Sequence, residues 1–211
     1  LGRVNTGSVA QRLADTPGVA RTILDAARAA RGMPGADPRA MSHSWLFTGP
    51  PGSGRSLAAL DFAAALMCTD PEEPGCGRCE ACQAVLDAKQ HTDLVLVDPQ
   101  EVIIPVDTVR EVIGRAASLP TVAPWRVVIF NNADRLNNNG ANALLKTVEE
   151  PPARTVIIMC APSDAPEDFS QTLRSRCRHL YIPSPSVESI TAQLVSEGAS
   201  DHDAHLAALT S

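Results

Sequence analysis

A glycine-rich turn lies between an apolar stretch, residues 45–47, and a helical stretch that continues to Phe62. The pattern G-x-x-x-x-G-K-[ST] needs glycines, because the backbone must curl until several N–H groups converge on an anion at a helix N-terminus. A strand, a turn and a helix in this order form the context in which the pattern binds phosphate. The candidate nucleotide-binding residues in the turn are Gly49, Gly52, Ser53, Gly54, Arg55 and Ser56.

Arg55 stands where the pattern has a lysine, whereas Ser56 keeps the hydroxyl that would bind Mg²⁺. Arginine is always charged and can bind phosphate, but its planar fork does not freely replace a compact ammonium on a flexible stem. The loop could therefore hold ATP or ADP, yet we expect turnover to be impaired. The alternative interpretation is a Gly/Pro turn before an ordinary helix.

Four cysteines have the spacing of a metal site, with two consecutive C-x₂-C steps: Cys68, Cys76, Cys79 and Cys82. Four thiolates close a tetrahedral zinc shell and leave no position for water, so such a site is structural. Zinc would fold a Pro/Gly-rich insertion that has little core of its own. The alternatives are an iron–sulfur cluster, disulfides or unrelated buried thiols. For Cys160 and Cys177, which stand apart, we expect ordinary core packing.

Composition narrows the class of protein. The chain has 211 residues, 44% of them hydrophobic, and a formal net charge of −6. This charge argues against a stand-alone nucleic-acid binder, which would need an excess of lysine and arginine. No apolar run approaches the roughly 18 residues of a membrane span, and no signal stretch opens the chain. We therefore expect a cytoplasmic protein with no membrane contact.

Predicted strands and helices alternate along the chain. Apolar stretches predict strands at 45–47, 94–97, 126–130, 155–160 and 179–182, whereas helical patterns cover 16–31, 56–68, a short segment ending at 89, 106–118 and 140–149. Such alternation is typical of parallel strands joined by right-handed helical crossovers, with the ligand at the carboxyl ends of the strands. The sequence thus predicts an α/β fold with a parallel five-stranded sheet flanked by helices.

The sequence also predicts how the chain divides. Residues 1–183 form a nucleotide-binding-like domain, with a zinc module at about 68–90, and residues 184–211 begin a small helical domain. Pro183 to Pro185 are the linker, residues 186–189 cap one helix, and Asp201 opens another. Because the sequence begins without Met and ends within an apparent helix, we expect it to be part of a longer protein.

Two further motifs carry a family resemblance. The run N-A-L-L-K-T-V-E-E-P-P at residues 142–152 and the triplet Ser175-Arg176-Cys177 resemble the clamp-loader branch of the AAA+ ATPases. With the phosphate loop and the four-cysteine insertion, they resemble bacterial DNA polymerase III clamp loaders over about residues 42–182. The resemblance implies an AAA+ fold, a role in DNA replication, and a lid character for the helical domain.

The end of the third strand distinguishes two families of clamp-loader subunits. An active gamma/tau ATPase should carry an Asp-Glu pair there, which holds Mg²⁺ and positions the attacking water. This chain has Asn131 and Asn132 instead, and an amide neither balances the charge of Mg²⁺ nor acts as a base. Together with the following residues 133–136, this resembles the delta-prime family, whose site is degraded. Asp134 lies too far along the chain to take the missing role by simple register.

The resemblance gives Arg176 a role. In this family the arginine of the Ser-Arg-Cys triplet points across the subunit interface at ATP bound to the neighbour, where a guanidinium stabilises charge on the transferring phosphoryl group. Without the resemblance, Arg176 would be a solvated arginine in a basic run. The implied partners are the gamma/tau and delta subunits and, through the complex, the sliding clamp and primer-template DNA.

The leading hypothesis is therefore a non-catalytic ring subunit, which completes a partner's ATP site and helps to load the clamp. One alternative is a catalytically active ATPase of the gamma/tau type, in which Arg55 supports phosphate binding and Asp134 binds metal. Another is a zinc-dependent interaction module on an AAA+ scaffold, whose partner binding would require the four thiols.

Overall fold

The computed structural model describes residues 7–196 together with residues 200, 203, 207 and 208. Within these residues, five parallel strands form one sheet in the order β2-β3-β4-β1-β5. The strands are β1 (Ser44–Thr48), β2 (Leu94–Val97), β3 (Arg126–Phe130), β4 (Thr155–Ala161) and β5 (Arg178–Tyr181). The predicted parallel five-stranded α/β sheet is confirmed.

Helices cover both faces of this sheet. They are α1 (Val9–Arg12), α2 (Pro17–Ala30), α3 (Arg55–Met67), α4 (Glu80–Leu86), α5 (Val106–Ala116), α6 (Asn138–Glu149), α7 (Gln171–Arg174) and α8 (Val187–Ser196), with 3₁₀ turns at Pro38–Ala40 and Ala133–Arg135. None of the described helices is long and apolar enough to cross a membrane.

Alternation along the central strands divides the core between the two faces of the sheet. Trp45 and Phe47 of β1 pack with α2, α3 and α4 on one face, whereas Leu46 packs with α5 and α6 on the other. The ring of Phe62 in α3 lies 5.1 Å from Trp45 and 6.2 Å from Phe47, centroid to centroid. Because α3 is buried along most of its length, its sequence is almost continuously apolar rather than amphipathic.

Strand β5 begins and ends one residue earlier than the predicted 179–182. Arg178 pairs with Trp45 of β1, and its guanidinium lies 5.1 Å from the centre of the Trp45 ring. The same side chain donates to the carbonyls of Arg39 and Ala40, both at 2.8 Å. A charged residue, Arg178, therefore belongs to this edge strand. The predicted strand did not include it, because the prediction followed an apolar stretch.

The short helices α1 and α7 were not predicted, because four residues are too few to display a helical period. Helix α8 follows the predicted linker and begins at Val187, within the residues 186–189 that were predicted to cap it. Asp201, where a further helix was predicted to open, lies outside the described residues.

Asp93, directly before β2, ties the sheet to the segment between α5 and β3. Its buried carboxylate accepts hydrogen bonds from the backbone N–H groups of Thr121, Val122 and Ala123, each at 2.8 Å. It also pairs with Arg126 at 3.0 Å. Burial alone would raise the pKa of Asp93, but these three N–H groups and Arg126 together hold it well below its usual range.

Candidate nucleotide and metal sites

The glycine-rich turn, predicted to be a phosphate loop, joins the carboxyl end of β1 to the N-terminus of α3. Gly54 is the N-cap of α3 and has a positive φ of 81°, a conformation that glycine adopts without strain. At Gly49 a Cβ would lie 2.4 Å from the carbonyl oxygen of Ile182 and 2.4 Å from Oγ of Ser53. The close approach of these groups therefore requires glycine at position 49.

Arg55 folds back onto this loop. Its Nη1 donates to the carbonyl oxygens of Gly49 at 2.7 Å and Pro50 at 3.1 Å. The cation that would reach a nucleotide's terminal phosphates is thus bound to the loop's own backbone. Ser53 is buried, and its Oγ has no hydrogen-bond partner within the described part of the chain. Ser56 lies in the first turn of α3, partly exposed.

The carboxyl end of β3 lies at the same edge of the sheet but carries amides. Asn131 is buried, its N–H donates to the carbonyl of Val97 at 2.8 Å, and its side-chain Oδ1 has no partner among the described residues. Asn132 has a left-handed backbone with φ of 52°, which asparagine tolerates better than most residues. Asp134 follows within a 3₁₀ turn, and its side chain is exposed. The structure therefore offers no carboxylate at the two positions directly after β3.

A cleft beside the loop contains an ion pair that was not predicted from the sequence. Nε of Arg12, the last residue of α1, donates to the buried Asp61 of α3 at 2.5 Å. Burial raises the pKa of Asp61, and Arg12 only partly offsets this effect. The two residues are 49 positions apart, so no local sequence pattern indicates the pair. It fastens the N-terminal segment to the helix of the phosphate loop.

Arg176 follows Ser175, the C-cap of α7. Leu173 of α7 and the partly buried Cys177 pack in the core that α5 and α6 cover, on the opposite face of the sheet from α3. The Arg176 side chain is exposed and pairs through Nε with Oε1 of Glu149 at 2.6 Å. Its hydrogen-bond partners belong to α6, to α7 and to Ser175 at the C-cap of α7, not to the phosphate loop. The arrangement leaves Arg176 accessible from outside the chain.

The four predicted metal ligands lie together. Their sulfur atoms are all within 4.8 Å of one another, and Sγ of Cys79 is 3.8 Å from Sγ of Cys68. A tetrahedral site with Zn–S bonds of about 2.3 Å requires sulfur–sulfur separations of about 3.8 Å. Cys68 ends α3, and Cys79 is the N-cap of α4, which also contains Cys82. These helix ends and the turn carrying Cys76 bring the thiols together.

Hydrogen bonds around the cluster suit thiolate ligands. Backbone N–H groups of Asp70, Cys79 and Cys82 donate to the sulfurs of Cys68, Cys76 and Cys79, each at 3.4 Å. The neighbouring Cys82 thiol lowers the pKa of Cys68, and the same contact raises the pKa of Cys82. All six cysteines of the chain are free thiols, so the disulfide alternative finds no support. The donor set fits a metal ion such as zinc.

The cysteine module packs against the N-terminal segment instead of standing alone. The N–H of Val9 in α1 donates to the carbonyl of Gly75 at 2.8 Å, and Val9 is fully buried. A Cβ on Gly75, whose φ is +72°, would lie 2.4 Å from Cγ2 of Val9. The module thus shares the core of the domain. The sequence had predicted only an insertion with little core of its own.

Cys160 and Cys177 remain outside the cluster, as expected. Cys160 is fully buried in β4, and Cys177 is partly buried after α7. Burial raises the pKa of each thiol to about 12. Both are therefore protonated at neutral pH and poorly suited to bind metal.

A family model and the relatives similar in sequence indicate the same family. The family model described as "DNA polymerase III, delta subunit" matches residues 36–186. DNA polymerase III subunit delta' of Pseudomonas aeruginosa is 36% identical over 165 residues, which cover 75% of this chain and 49% of the relative. The subunit delta' of Escherichia coli K12 is 35% identical over 170 residues, covering 79% and 50%. The chain thus spans about half the length of these relatives.

Gamma/tau subunits are also similar. The DNA polymerase III subunit gamma/tau of Mycobacterium tuberculosis H37Rv is 33% identical over 166 residues, covering 76% of this chain and 28% of the relative. Among solved structures, the RuvB Holliday junction branch migration motor of Thermotoga maritima has a TM-score of 0.52 at 16% identity, covering 92% of this chain and 55% of that one. The latter likeness concerns the fold alone.

Proposed function

Because this chain belongs to the DNA polymerase III delta-subunit family, we propose that it serves a clamp loader as a delta-prime-like subunit without ATPase activity of its own. The subunit would help to load the sliding clamp onto primed DNA during replication. Its partners would be the gamma/tau and delta subunits and, through the complex, the clamp and primer-template DNA. The delta' relatives support this assignment over the part of their length that the chain spans.

The proposal that this chain does not hydrolyse ATP rests on the side chains present at its own nucleotide site. Hydrolysis needs a cation at the terminal phosphate and a carboxylate that holds Mg²⁺ and orients water. Here Arg55 is bound to loop carbonyls, and Asn131 and Asn132 follow β3. The curled backbone of residues 49–54 could still accept an anion, so the proposal concerns hydrolysis more than binding.

Unlike the side chains at the chain's own nucleotide site, Arg176 would act in trans, on ATP bound to a neighbouring subunit. A partner's ATP gains negative charge at its terminal phosphate during hydrolysis, and a permanent cation there stabilises that charge where water is excluded. The exposed Arg176 is bound to residues of α6 and α7, so it is available to a neighbouring subunit and not to this chain's own loop. The alternative role, a solvated arginine without function, would give it no effect on a partner.

A structural zinc ion and a division into domains complete the proposal. Cys68, Cys76, Cys79 and Cys82 would hold the zinc, whose bonds to four sulfurs would cross-link the ends of α3 and α4. Residues 1–183 would form the AAA+ domain, and residues 184–211 would begin the helical lid. The buried Ile182, the prolines that follow it and the start of α8 at Val187 support this boundary.

The similarity to gamma/tau subunits keeps a second candidate, an active ATPase. In that case the exposed Asp134 would have to bind Mg²⁺ and Arg55 would have to release the loop carbonyls. An ATPase assay on the isolated chain separates the two candidates.

The deciding experiment replaces Arg176 in the full-length protein assembled into a complete loader. We expect Arg176→Ala to lower DNA-stimulated ATP hydrolysis in part, because one arginine serves one of several ATP sites, and to lower clamp loading more strongly at limiting ATP. Arginine fingers contribute on the order of 10³–10⁵ in rate in GTPase systems, and a smaller effect is expected here. Melting and assembly should hardly change, since an exposed arginine contributes little to the fold.

Arg110→Ala is the matched control, because Arg110 is also exposed and paired with an acidic residue, Asp107, three positions away. It should leave hydrolysis and loading unchanged. If a fully incorporated Arg176→Ala subunit supports both rates at the wild-type level, the trans role is wrong.

A further inference from the structure

The guanidinium of Arg176 is held on two sides. Its Nε donates to Oε1 of Glu149 at 2.6 Å. Its Nη1 donates to the backbone carbonyl of Thr172 at 2.7 Å and to Oγ of Ser175 at 3.1 Å. Arginine carries five N–H donors, one on Nε and two on each terminal nitrogen. These three bonds therefore occupy the Nε donor and both donors of Nη1.

The remaining nitrogen, Nη2, has no hydrogen-bond partner within the described part of the chain. Since the guanidinium is planar, fixing Nε and Nη1 also fixes the direction of the two Nη2 donors. The side chain is exposed, so these donors are open to solvent or to another molecule. The geometry thus presents one pair of free donors in a defined direction.

We propose that Glu149 is a positioning residue, which orients Arg176 so that Nη2 faces the phosphate of a neighbouring subunit's nucleotide. This inference rests on the trans role proposed for Arg176. The two backbone and hydroxyl contacts come from Arg176's own turn, whereas Glu149 lies 27 residues earlier, at the end of α6. Glu149 thus sets the guanidinium relative to a long helix and not only relative to its own turn.

The location of Glu149 gives a further reason. It is the last residue of α6, where the negative end of the helix dipole disfavours a carboxylate. The ion pair with Arg176 compensates for this position. Glu150, the next residue, is also exposed but forms no ion pair or hydrogen bond through its carboxylate among the described residues. Two adjacent glutamates of the same chemistry thus differ in their contact with Arg176.

The other side of α7 is fixed separately. Arg174 binds Asp164, which lies in the segment after β4, through Nε at 2.7 Å and Nη2 at 2.5 Å. Leu173 is fully buried beneath the helix. Because α7 has its own anchors, loss of Glu149 is expected to release the Arg176 side chain without displacing the helix that carries it.

The test uses the assembled loader with the full-length subunit and compares Glu149→Ala, Arg176→Ala, the double variant and the control Glu150→Ala. We expect Glu149→Ala to reproduce at least roughly half of the loss in maximal DNA-stimulated hydrolysis that Arg176→Ala causes, since misplacing a reacting group by about 1 Å can cost up to about 10²-fold. The KM for ATP should stay within about twofold. Glu150→Ala should match wild type.

Two comparisons separate positioning from a structural effect. Adding Glu149→Ala to Arg176→Ala should cause no further loss, because Glu149 acts through Arg176. Glu149→Gln, whose amide oxygen can still accept a hydrogen bond from Nε, should lose less activity than Glu149→Ala. Incorporation and melting of each subunit are checked first.

The possible failures are distinguishable. If Arg176→Ala lowers the rate but Glu149→Ala does not, the positioning role is wrong and the trans role stands. If Glu149→Ala raises the rate, the carboxylate restrains the arginine and the proposal is overturned. An additive loss in the double variant, or equal loss with Gln and Ala, also overturns it. If Arg176→Ala has no effect, the trans role fails and the positioning role fails with it.

Discussion

Replacing Asp93 by asparagine should strongly destabilise the fold, because its carboxylate is buried and fully engaged. The Asp93 carboxylate is fully buried and accepts three backbone N–H bonds at 2.8 Å, with Arg126 at 3.0 Å from Oδ1. In Asp93→Asn one oxygen becomes an NH₂ group, which must face donors instead of accepting from them. Arg126, itself only 7% exposed, loses its counter-charge.

The expected cost is about 3–5 kcal/mol, the usual range for breaking a buried ion pair by removing one partner. For a chain of this size, that corresponds to a decrease in melting temperature of about 6–20 °C. The assay is thermal or urea unfolding of both proteins at pH 7. Asp107→Asn is the control, because the Asp107 side chain is 87% exposed. Its melting temperature should equal that of the wild type.

The pH dependence gives an independent check. Because the folded pKa of Asp93 is depressed, its stabilisation is present above the unfolded pKa of about 3.9 and is lost as pH falls towards the folded value. Between pH 5 and pH 3 the wild type should lose about 1 kcal/mol from this group, a loss that Asp93→Asn should not show. The reasoning would be refuted if the free energy of unfolding of Asp93→Asn lay within about 1 kcal/mol of the wild-type value and decreased equally between pH 5 and pH 3.

Three other predictions follow from the sites. Elemental analysis should find one zinc per chain, lost in Cys79→Ser and kept in Cys177→Ser; absence of zinc without chelator treatment contradicts this. The isolated chain should show negligible ATPase activity even with Arg55→Lys, and a rate near roughly 1–100 s⁻¹ contradicts it. Gly75→Ala should destabilise by about 2–4 kcal/mol through strain and overlap with Val9, whereas Gly114→Ala, in an open helical position, should stabilise by about 0.5–1 kcal/mol; equal unfolding midpoints would contradict this.

The sequence predicted most of the fold because its apolar stretches are strongly periodic or continuous. Strands β2 and β3 begin and end at the predicted residues, since each is a buried run between polar or turn-forming neighbours. Four cysteines, spaced x₇, x₂ and x₂, likewise predicted a cluster that the structure assembles. In these cases the information lies within one short segment of the chain, so the local sequence was sufficient.

Other features depend on residues far apart in the sequence. The pairs Arg12–Asp61 and Arg126–Asp93 join positions 49 and 33 residues apart, and only the folded sheet brings them together. The fold of Arg55 onto Gly49 and Pro50 depends on a side-chain torsion, which no spacing indicates. The sequence therefore identified the altered cation but not its contact with the loop carbonyls.

The architecture lets the two halves of the proposed function change independently. The phosphate loop continues into α3, which covers one face of the sheet, whereas Arg176 is held by α6 and α7 on the other face. Because the neighbouring central strands β1 and β4 and their sheet lie between these two faces, changes of side chain at the loop need not disturb the orientation of Arg176. Asn131 and Asn132 could thus replace the carboxylates without cost to the ion pair between Glu149 and Arg176. This separation is consistent with the proposal that the subunit lacks hydrolysis in its own site and contributes Arg176 to a neighbour's site.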